Sequence, residues 1–158
     1  MDELSLGTAM SSSNSSHDFA GDIGAAEAWE QLTSDPKAQL VDVRTLAEWN
    51  FVGVPDITAL GRQVHCVEWQ TFPSGAPNPA FVEQASAAMG AAGAEPGTPV
   101  LFLCRSGGRS RAAAIAMTQA GFQKALNVAG GFEGDLDGVR HRGQRNGWKA
   151  QGLPWKQS

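Results

Sequence analysis

The sequence predicts an α/β fold with a mainly parallel central sheet flanked by helices. An apolar segment at residues 39–43 is followed by a polar turn and a helical start, the order that opens a parallel α/β unit. The segment at 99–103 is apolar without alternation, as expected of a parallel strand covered on both faces. A turn with glycines at 107 and 108 leads from it into a helical run over 109–120.

Composition limits the chain to one ordinary globular domain. It has 158 residues, of which 42% are hydrophobic and 18% charged, and a net charge of −4. The apolar runs are shorter than the ~20 residues that cross a bilayer, and the N-terminus lacks the pattern of a secretory signal. Two cysteines, Cys66 and Cys104, are too few for a disulfide framework and lack metal-ligand spacing. We therefore expect a cytoplasmic protein with no metal, no membrane contact and no nucleic-acid partner.

The N-terminal segment has a different character from the rest. Residues 1–20 show no periodicity and few large apolar side chains, so a disordered arm is expected before a domain at 21–158. A first helix then follows and is predicted to end near the turn at 34–36. Four residues at helical spacing form its expected buried face: Ala25, Ala28, Trp29 and Leu32.

Local patterns place the remaining elements. Thr45 and Glu48 have the spacing of a capping box, which predicts a helical turn there. Alternation over 64–68 suits a strand, with Cys66 expected to be buried, and residues 124–128 predict another strand.

Asn78 is predicted to cap a helix with Pro79 at its first position. That helix is expected to bury Phe81, Val82, Ala85, Ala88 and Met89. The helix over 109–120 is expected to form one face from Ala112, Ile115, Ala116 and Gln119.

The loop at residues 104–110 is the main candidate site. It joins a buried strand to a helix, where open α/β sheets bind ligands, and its two glycines let backbone N–H groups converge on an anion. Arg105 and Arg109 would favour the nucleophilic thiolate form of Cys104. The alternative is a structural cysteine in a glycine turn. We predict Cys104 as the catalytic nucleophile and six substrate-binding residues: Arg105, Ser106, Gly107, Gly108, Arg109 and Ser110.

Three segments of the chain resemble the single-domain rhodaneses, a family of sulfurtransferases. They are Leu40-Val41-Asp42-Val43-Arg44 with Glu48-Trp49, the loop at 104–110, and Asn127-Val128-Ala129-Gly130-Gly131 with Trp148 and Gly152-Leu153-Pro154. The resemblance covers about residues 22–155 and implies a three-layer rhodanese-like fold. The chain departs from the family by lacking a histidine in the segment at 53–56. It also has an insertion near 135–146, whose basic residues are Arg140, His141, Arg142 and Arg145. They could rim the active site, or the insertion could be a solvated excursion.

The resemblance implies a two-step reaction without a metal or organic cofactor. The Cys104 thiolate would take the outer sulfur of a donor such as thiosulfate, and a thiol or cyanide acceptor would remove it from the resulting persulfide. Arg105 is expected to contact the anionic donor. Arg109 would either assist it or be tied to a carboxylate, while Asp42 and Arg44 are expected to be structural support. An acceptor protein is also conceivable.

Two other classes of function remain open from the sequence. A cysteine in an anion-binding loop also suits a phosphatase or an arsenate reductase. Those phosphatases have an arginine six positions after the cysteine, however, and here that position is Ser110. A non-catalytic rhodanese-like module for binding or redox sensing is the other alternative. Cys66 could act as a resolving cysteine only within disulfide reach of Cys104.

Overall fold

The computed structural model describes residues 18–157 and is built on a five-stranded, entirely parallel sheet. Its strands are β1 (Gly21–Ile23), β2 (Gln39–Asp42), β4 (His65–Cys66), β5 (Pro99–Leu103) and β6 (Lys124–Val128). They lie in the order β1-β6-β5-β2-β4, which places β5 at the centre. A separate antiparallel pair joins β3 (Val54–Pro55) to β7 (Trp155–Lys156). The helices are α1 (Ala25–Ser34), α2 (Leu46–Phe51), α3 (Phe81–Ala91) and α4 (Gly108–Gln119), with a 3₁₀ turn at Thr58–Leu60.

Side chains of the central strands divide between two cores. Val100, Phe102 and Cys104 belong to one core cluster, while Leu101 and Leu103 belong to the other. Successive side chains of a strand point to opposite faces, so a strand buried on both faces needs apolar residues at every position. The predicted α/β class with a parallel sheet between helices is therefore confirmed.

Helices cover both faces of the sheet and produce three layers. On one face α3 contributes Phe81, Ala85 and Met89, and α4 contributes Ala113 and Met117. The opposite face is covered by α1 and by the C-terminal segment, which is the chain after β6. The covering residues are Ala25, Ala28 and Leu32 from α1, and Phe132 and Trp148 from the C-terminal segment. Three of the four residues predicted for the buried face of α1 are thus fully buried, and Trp29 packs partly against the same core.

The buried face of α4 is not the face that the sequence analysis singled out. Its buried residues are Ser110, Ala113, Ala114 and Met117, whereas Ala112, Ile115 and Ala116 are half-buried and Gln119 is exposed. Because alanine occupies four of the five positions from 112 to 116, the sequence offers little hydrophobic contrast between faces. The tertiary position of the loop before α4 decides the face instead.

Two boundaries also differ from expectation. Phe19 is only 3% exposed and packs in the core, so the ordered domain extends two residues before the predicted start at residue 21. The rest of the predicted arm, residues 1–17, lies outside the described residues. Helix α3 begins at Phe81 rather than Pro79, although the Asn78 side chain does accept a hydrogen bond from the Ala80 N–H at 3.0 Å. Over residues 18–157, the helices are too short or too polar to cross a membrane.

Candidate active site

The loop at residues 104–110 leaves the central strand and turns directly into α4. Cys104 follows β5 and is 1% exposed. Gly107 has a φ of +116°, a conformation that glycine adopts without strain. A Cβ atom on Gly107 would overlap the Ala129 carbonyl, so the turn requires glycine on two grounds. The backbone can therefore curl over the sulfur only because position 107 carries no side chain.

Two groups of the loop contact the Cys104 sulfur. The Gly107 N–H donates to Sγ at 3.1 Å, and the Ser110 hydroxyl lies 3.3 Å from Sγ. The same hydroxyl lies 2.5 Å from Asn127 Oδ1, so its single proton serves one acceptor at a time. Asn127 Nδ2 donates to Asp22 Oδ1 at 2.8 Å and to the Gly107 carbonyl at 3.2 Å. Asn127 thus holds both the loop backbone and the hydroxyl in position.

Backbone N–H groups of the loop are available to an anion. Within residues 18–157, the N–H groups of residues 105, 106 and 108–110 have no protein acceptor. They belong to the turn and to the first turn of α4, where the helix dipole also favours negative charge. A cavity of about 190 Å³ lies among these residues and is lined by Cys104, Arg105, Ser106, Gly108 and Arg109. The loop can therefore hold a small anion against the sulfur.

The two arginines of the loop have different environments. Arg109 forms a two-bond ion pair with Glu48, at 2.7 Å from Nη1 to Oε1 and 3.0 Å from Nη2 to Oε2. Burial would raise the pKa of Glu48, but its bonds and attraction to Arg109 and its bonds to Thr45 hold that pKa below its usual value. Arg105 is exposed, and its guanidinium has no hydrogen-bond or ion-pair partner in the described part of the chain. Of the two roles considered for Arg109, the geometry shows the tie to a carboxylate.

Asp42 and Arg44 form a fully buried ion pair beneath this site. Arg44 Nη2 lies 2.6 Å from Asp42 Oδ2 and also donates to the Gly53 carbonyl at 2.6 Å. The guanidinium stacks on the Phe132 ring, with its carbon 4.3 Å from the ring centroid. The pair thus joins the end of β2 to the segment after α2 and to the C-terminal segment.

A larger cleft of about 640 Å³ opens beside the loop and shares Arg105 and Arg109 with the small cavity. Its other lining residues come from α2, from the loop at 70–75 and from the C-terminal segment. Arg142 lines this cleft, whereas Arg140, His141 and Arg145 do not. The predicted insertion near 135–146 therefore contributes one cation to the rim of the site. Its two ends are joined by hydrogen bonds between Asp135 and Asn146.

Cys66 differs from the expectation of buried packing. The residue is exposed, and its strand β4 lies at the edge of the sheet. Local desolvation and the Asp42 carboxylate raise the pKa of its thiol to about 12. Its register partner is Asp42, which in turn pairs with Leu103, so two strand spacings place Cys66 about 10 Å from β5. Cys66 is therefore outside disulfide reach of Cys104.

Sequence reasoning missed several residues that build the site. Glu48 was noted only as a motif residue, and Asn127 only as part of the C-terminal motif. Neither partner is near the loop in sequence, since Glu48 lies 61 residues before Arg109 and Asn127 lies 17 after Ser110. The aromatic rim of the cleft, Phe51 and Phe72, carried no signal beyond apolar character.

Comparison with known proteins places the chain among rhodanese-like domains. A family model described as the STR4 middle domain matches residues 20–158. The uncharacterized protein RC0915 of Rickettsia conorii is 34% identical over 134 residues, which cover 85% of this chain and 95% of that protein. The chloroplastic rhodanese-like domain-containing protein 4 of Arabidopsis thaliana is 28% identical over 132 residues, which cover 83% of this chain and 24% of the plant protein.

Solved structures show the same fold. The crystal structure of Rv0390 from M. tuberculosis has a TM-score of 0.79 and 50% identity, covering 89% of this chain and 99% of that one. The polysulfide-sulfur transferase homodimer of Wolinella succinogenes has a TM-score of 0.56 at 18% identity, covering 91% and 82% of the two chains, and shares the fold. By the extent of the family match the chain belongs to the STR4 middle-domain family, and with its chloroplast relatives it is a rhodanese-like domain.

Proposed function

We propose that this chain is a sulfurtransferase that carries sulfur on Cys104 as a persulfide, from a small anionic donor such as thiosulfate to a thiol or cyanide. The supporting observation is the arrangement around the buried sulfur. The Gly107 N–H donates to Sγ at 3.1 Å, and further N–H groups of the loop surround a small adjoining cavity. Oriented amides of this kind stabilise a negative charge without a metal.

In the first step the Cys104 thiolate attacks the outer sulfur of thiosulfate. A bond forms between Sγ and that sulfur while the sulfur–sulfur bond of the donor breaks, and sulfite leaves with the electron pair. Arg105 supplies an exposed, unpaired guanidinium for the sulfonate of the donor. The terminal persulfide sulfur carries the negative charge and occupies the cavity beside the loop amides.

In the second step an acceptor regenerates the enzyme. Cyanide or a thiolate attacks the terminal sulfur, and the Cys104 thiolate leaves with the electron pair. Neither step consumes an oxidant or a reductant, and the proposed reaction uses no metal or organic cofactor. The resting thiolate must remain reduced, and the proposal therefore includes a reducing compartment such as the cytoplasm.

Phosphoryl chemistry has less support from the same geometry. Arg109, the candidate phosphate-binding arginine, already donates two hydrogen bonds to the Glu48 carboxylate. The loop reaches it one residue earlier than in the phosphatases considered above, and the adjoining cavity is small. A sulfur atom fits this arrangement better than a phosphoryl group with three equatorial oxygens.

Intact mass spectrometry after incubation with thiosulfate tests the proposal. We expect one added sulfur atom per chain, loss of that sulfur on adding cyanide, and formation of thiocyanate. Cys104→Ser should abolish all three, because a hydroxyl cannot form the persulfide. Cys66→Ser is the matched control and should retain them. Absence of the added sulfur on the wild-type chain, or aryl-phosphate hydrolysis as fast as thiosulfate turnover and lost in Cys104→Ser, would contradict the proposal.

A further inference from the structure

The space next to Cys104 has two compartments of different size. The small cavity of about 190 Å³ is formed by the loop, while the cleft of about 640 Å³ lies outside it. Arg105 and Arg109 line both compartments, so they form the boundary between them. Thiosulfate and cyanide are far smaller than the cleft, whose volume falls in the range typical of sites for organic ligands. Binding of thiosulfate or cyanide therefore does not explain why the cleft is so large.

The rim of the cleft is aromatic. Phe51, at the end of α2, is 80% exposed, and Phe72 is 69% exposed, yet both line the cleft. Val52 and Pro73 add further apolar surface between them. Exposed apolar surface of this kind beside an active site is characteristic of ligand-binding grooves, because it gains free energy when a carbon skeleton covers it.

The cleft also has an excess of positive charge. Its charged lining residues are three arginines and two carboxylates, namely Arg105, Arg109, Arg142, Glu48 and Glu133. Arg109 and Glu48 neutralise each other in their ion pair. The charges that remain in the lining are two positive, Arg105 and Arg142, and one negative, Glu133. This balance favours an anionic group on the bound molecule.

The predicted insertion presents Arg142 in a fixed position. Arg142 is half-buried, and its Nη1 donates to the Gly134 carbonyl at 2.7 Å. At the neck of the insertion, Asp135 N–H donates to Asn146 Oδ1 at 2.8 Å, and Asn146 Nδ2 donates to Asp135 Oδ2 at 3.1 Å. A side chain already held by the protein loses less conformational entropy on binding a ligand.

From these features we infer that the cleft is the acceptor site and takes a low-molecular-weight organic thiol that carries a carboxylate. Arg142 and Arg105 bind the carboxylate, and the rings of Phe51 and Phe72 cover the carbon skeleton. The acceptor thiolate then attacks the terminal sulfur of the Cys104 persulfide, and the Cys104 thiolate leaves. The products are an organic persulfide anion and free enzyme, so no oxidant or reductant is consumed. This inference rests on the proposed sulfurtransferase function.

A pair of matched acceptors tests it. N-acetylcysteine carries a carboxylate, and N-acetylcysteinamide has a neutral amide in its place. With thiosulfate as donor, and with rates expressed per thiolate, we expect kcat/KM to favour N-acetylcysteine by about tenfold, which corresponds to about 1.4 kcal/mol. Arg142→Gln should reduce this preference to about twofold or less. Arg140→Gln, in the same insertion but outside the cleft, is the control and should keep it.

Cyanide separates this inference from the function on which it rests. If the chain transfers sulfur to cyanide but shows no preference for the carboxylate, or if the Arg142 and Arg140 variants behave alike, the acceptor site is wrong and the sulfurtransferase stands. If a cysteine peptide with acidic neighbours is the far better acceptor and the small thiols are not distinguished, the inference is again overturned and the cleft fits a protein acceptor. Failure to form a persulfide would remove the proposed function itself.

Discussion

Replacing Glu48 with Gln tests how strongly the ion pair with Arg109 stabilises the fold around the loop. The change is selective, because Gln retains an oxygen at the position where Glu48 Oε1 accepts from the N–H and hydroxyl of Thr45. The N-cap of α2 therefore remains, and the substitution mainly removes the charge opposite Arg109.

The expected loss of stability lies between two limits. Exposed ion pairs contribute about 0–1 kcal/mol, whereas removing one partner of a fully buried pair costs about 3–5 kcal/mol. Both side chains here are 21% exposed and share two hydrogen bonds, of 2.7 and 3.0 Å. We expect Glu48→Gln to lower the free energy of unfolding by about 1–2 kcal/mol at pH 7. That corresponds to a Tm lower by roughly 2–8 °C for a chain of this size.

The pH dependence has a defined sign. Because the pKa of Glu48 is lowered in the folded state, its contribution is complete above the ordinary value of 4.5. It is lost as the pH falls through the lower folded value. The difference between the wild type and Glu48→Gln should therefore be full at pH 7 and shrink below about pH 4.

Urea denaturation of a double-mutant cycle with Arg109→Met measures the interaction directly. A coupling of about 1 kcal/mol or more is expected at pH 7. Glu83→Gln, an exposed carboxylate in the first turn of α3, is the control and should cost at most about 0.5 kcal/mol. A coupling below about 0.3 kcal/mol, or a loss that is unchanged at pH 3.5, would refute the reasoning.

Two further predictions concern the turn and the edge strand. Gly107→Ala should lower the free energy of unfolding by at least about 2 kcal/mol in urea, because of its positive φ and the overlap with the Ala129 carbonyl. Gly108→Ala, which meets open space at a helical position, should be neutral or stabilising, and equal losses in the two variants would contradict this account. Desolvation lowers the pKa of His65, so its contribution to stability is present above about pH 6.5 and lost as the pH falls below that value. His65→Gln should therefore flatten the decline in Tm between pH 7.5 and 5.5, and an unchanged slope in this variant would contradict the prediction.

The parts of the fold that sequence predicted are those with local hydrophobic contrast. Strand β5 is a continuous apolar run, β2 has an apolar centre at Leu40 and Val41, and α1 carries a clear apolar face, so each could be placed before the structure. The face of α4 could not, because alanine is nearly uniform around that helix and its burial depends on the loop before it. Cys66 was misplaced for a related reason, since an apolar neighbourhood in sequence does not show that a strand lies at the sheet edge.

The candidate site divides in the same way. Its sulfur and its N–H groups come from seven consecutive residues, so one local motif was enough to predict them. Two side chains that bind residues of the loop come from elsewhere in the chain. Glu48 accepts from the Arg109 guanidinium, and Asn127 accepts from the Ser110 hydroxyl. Such pairs are formed by the packing of separate elements, and no local pattern records them.

The ion pair with Glu48 also changes which groups can bind an anion at Cys104. A sequence with two arginines in one loop suggests two equivalent anion-binding cations, but Arg109 is already neutralised and held. The loop N–H groups, the start of α4 and the exposed Arg105 are then the groups left without a carboxylate partner near the sulfur. The loop N–H groups are held by the backbone, whereas the Arg105 side chain is exposed and has no partner in the described residues. The site therefore combines fixed N–H groups at the sulfur with the exposed Arg105 guanidinium beside them.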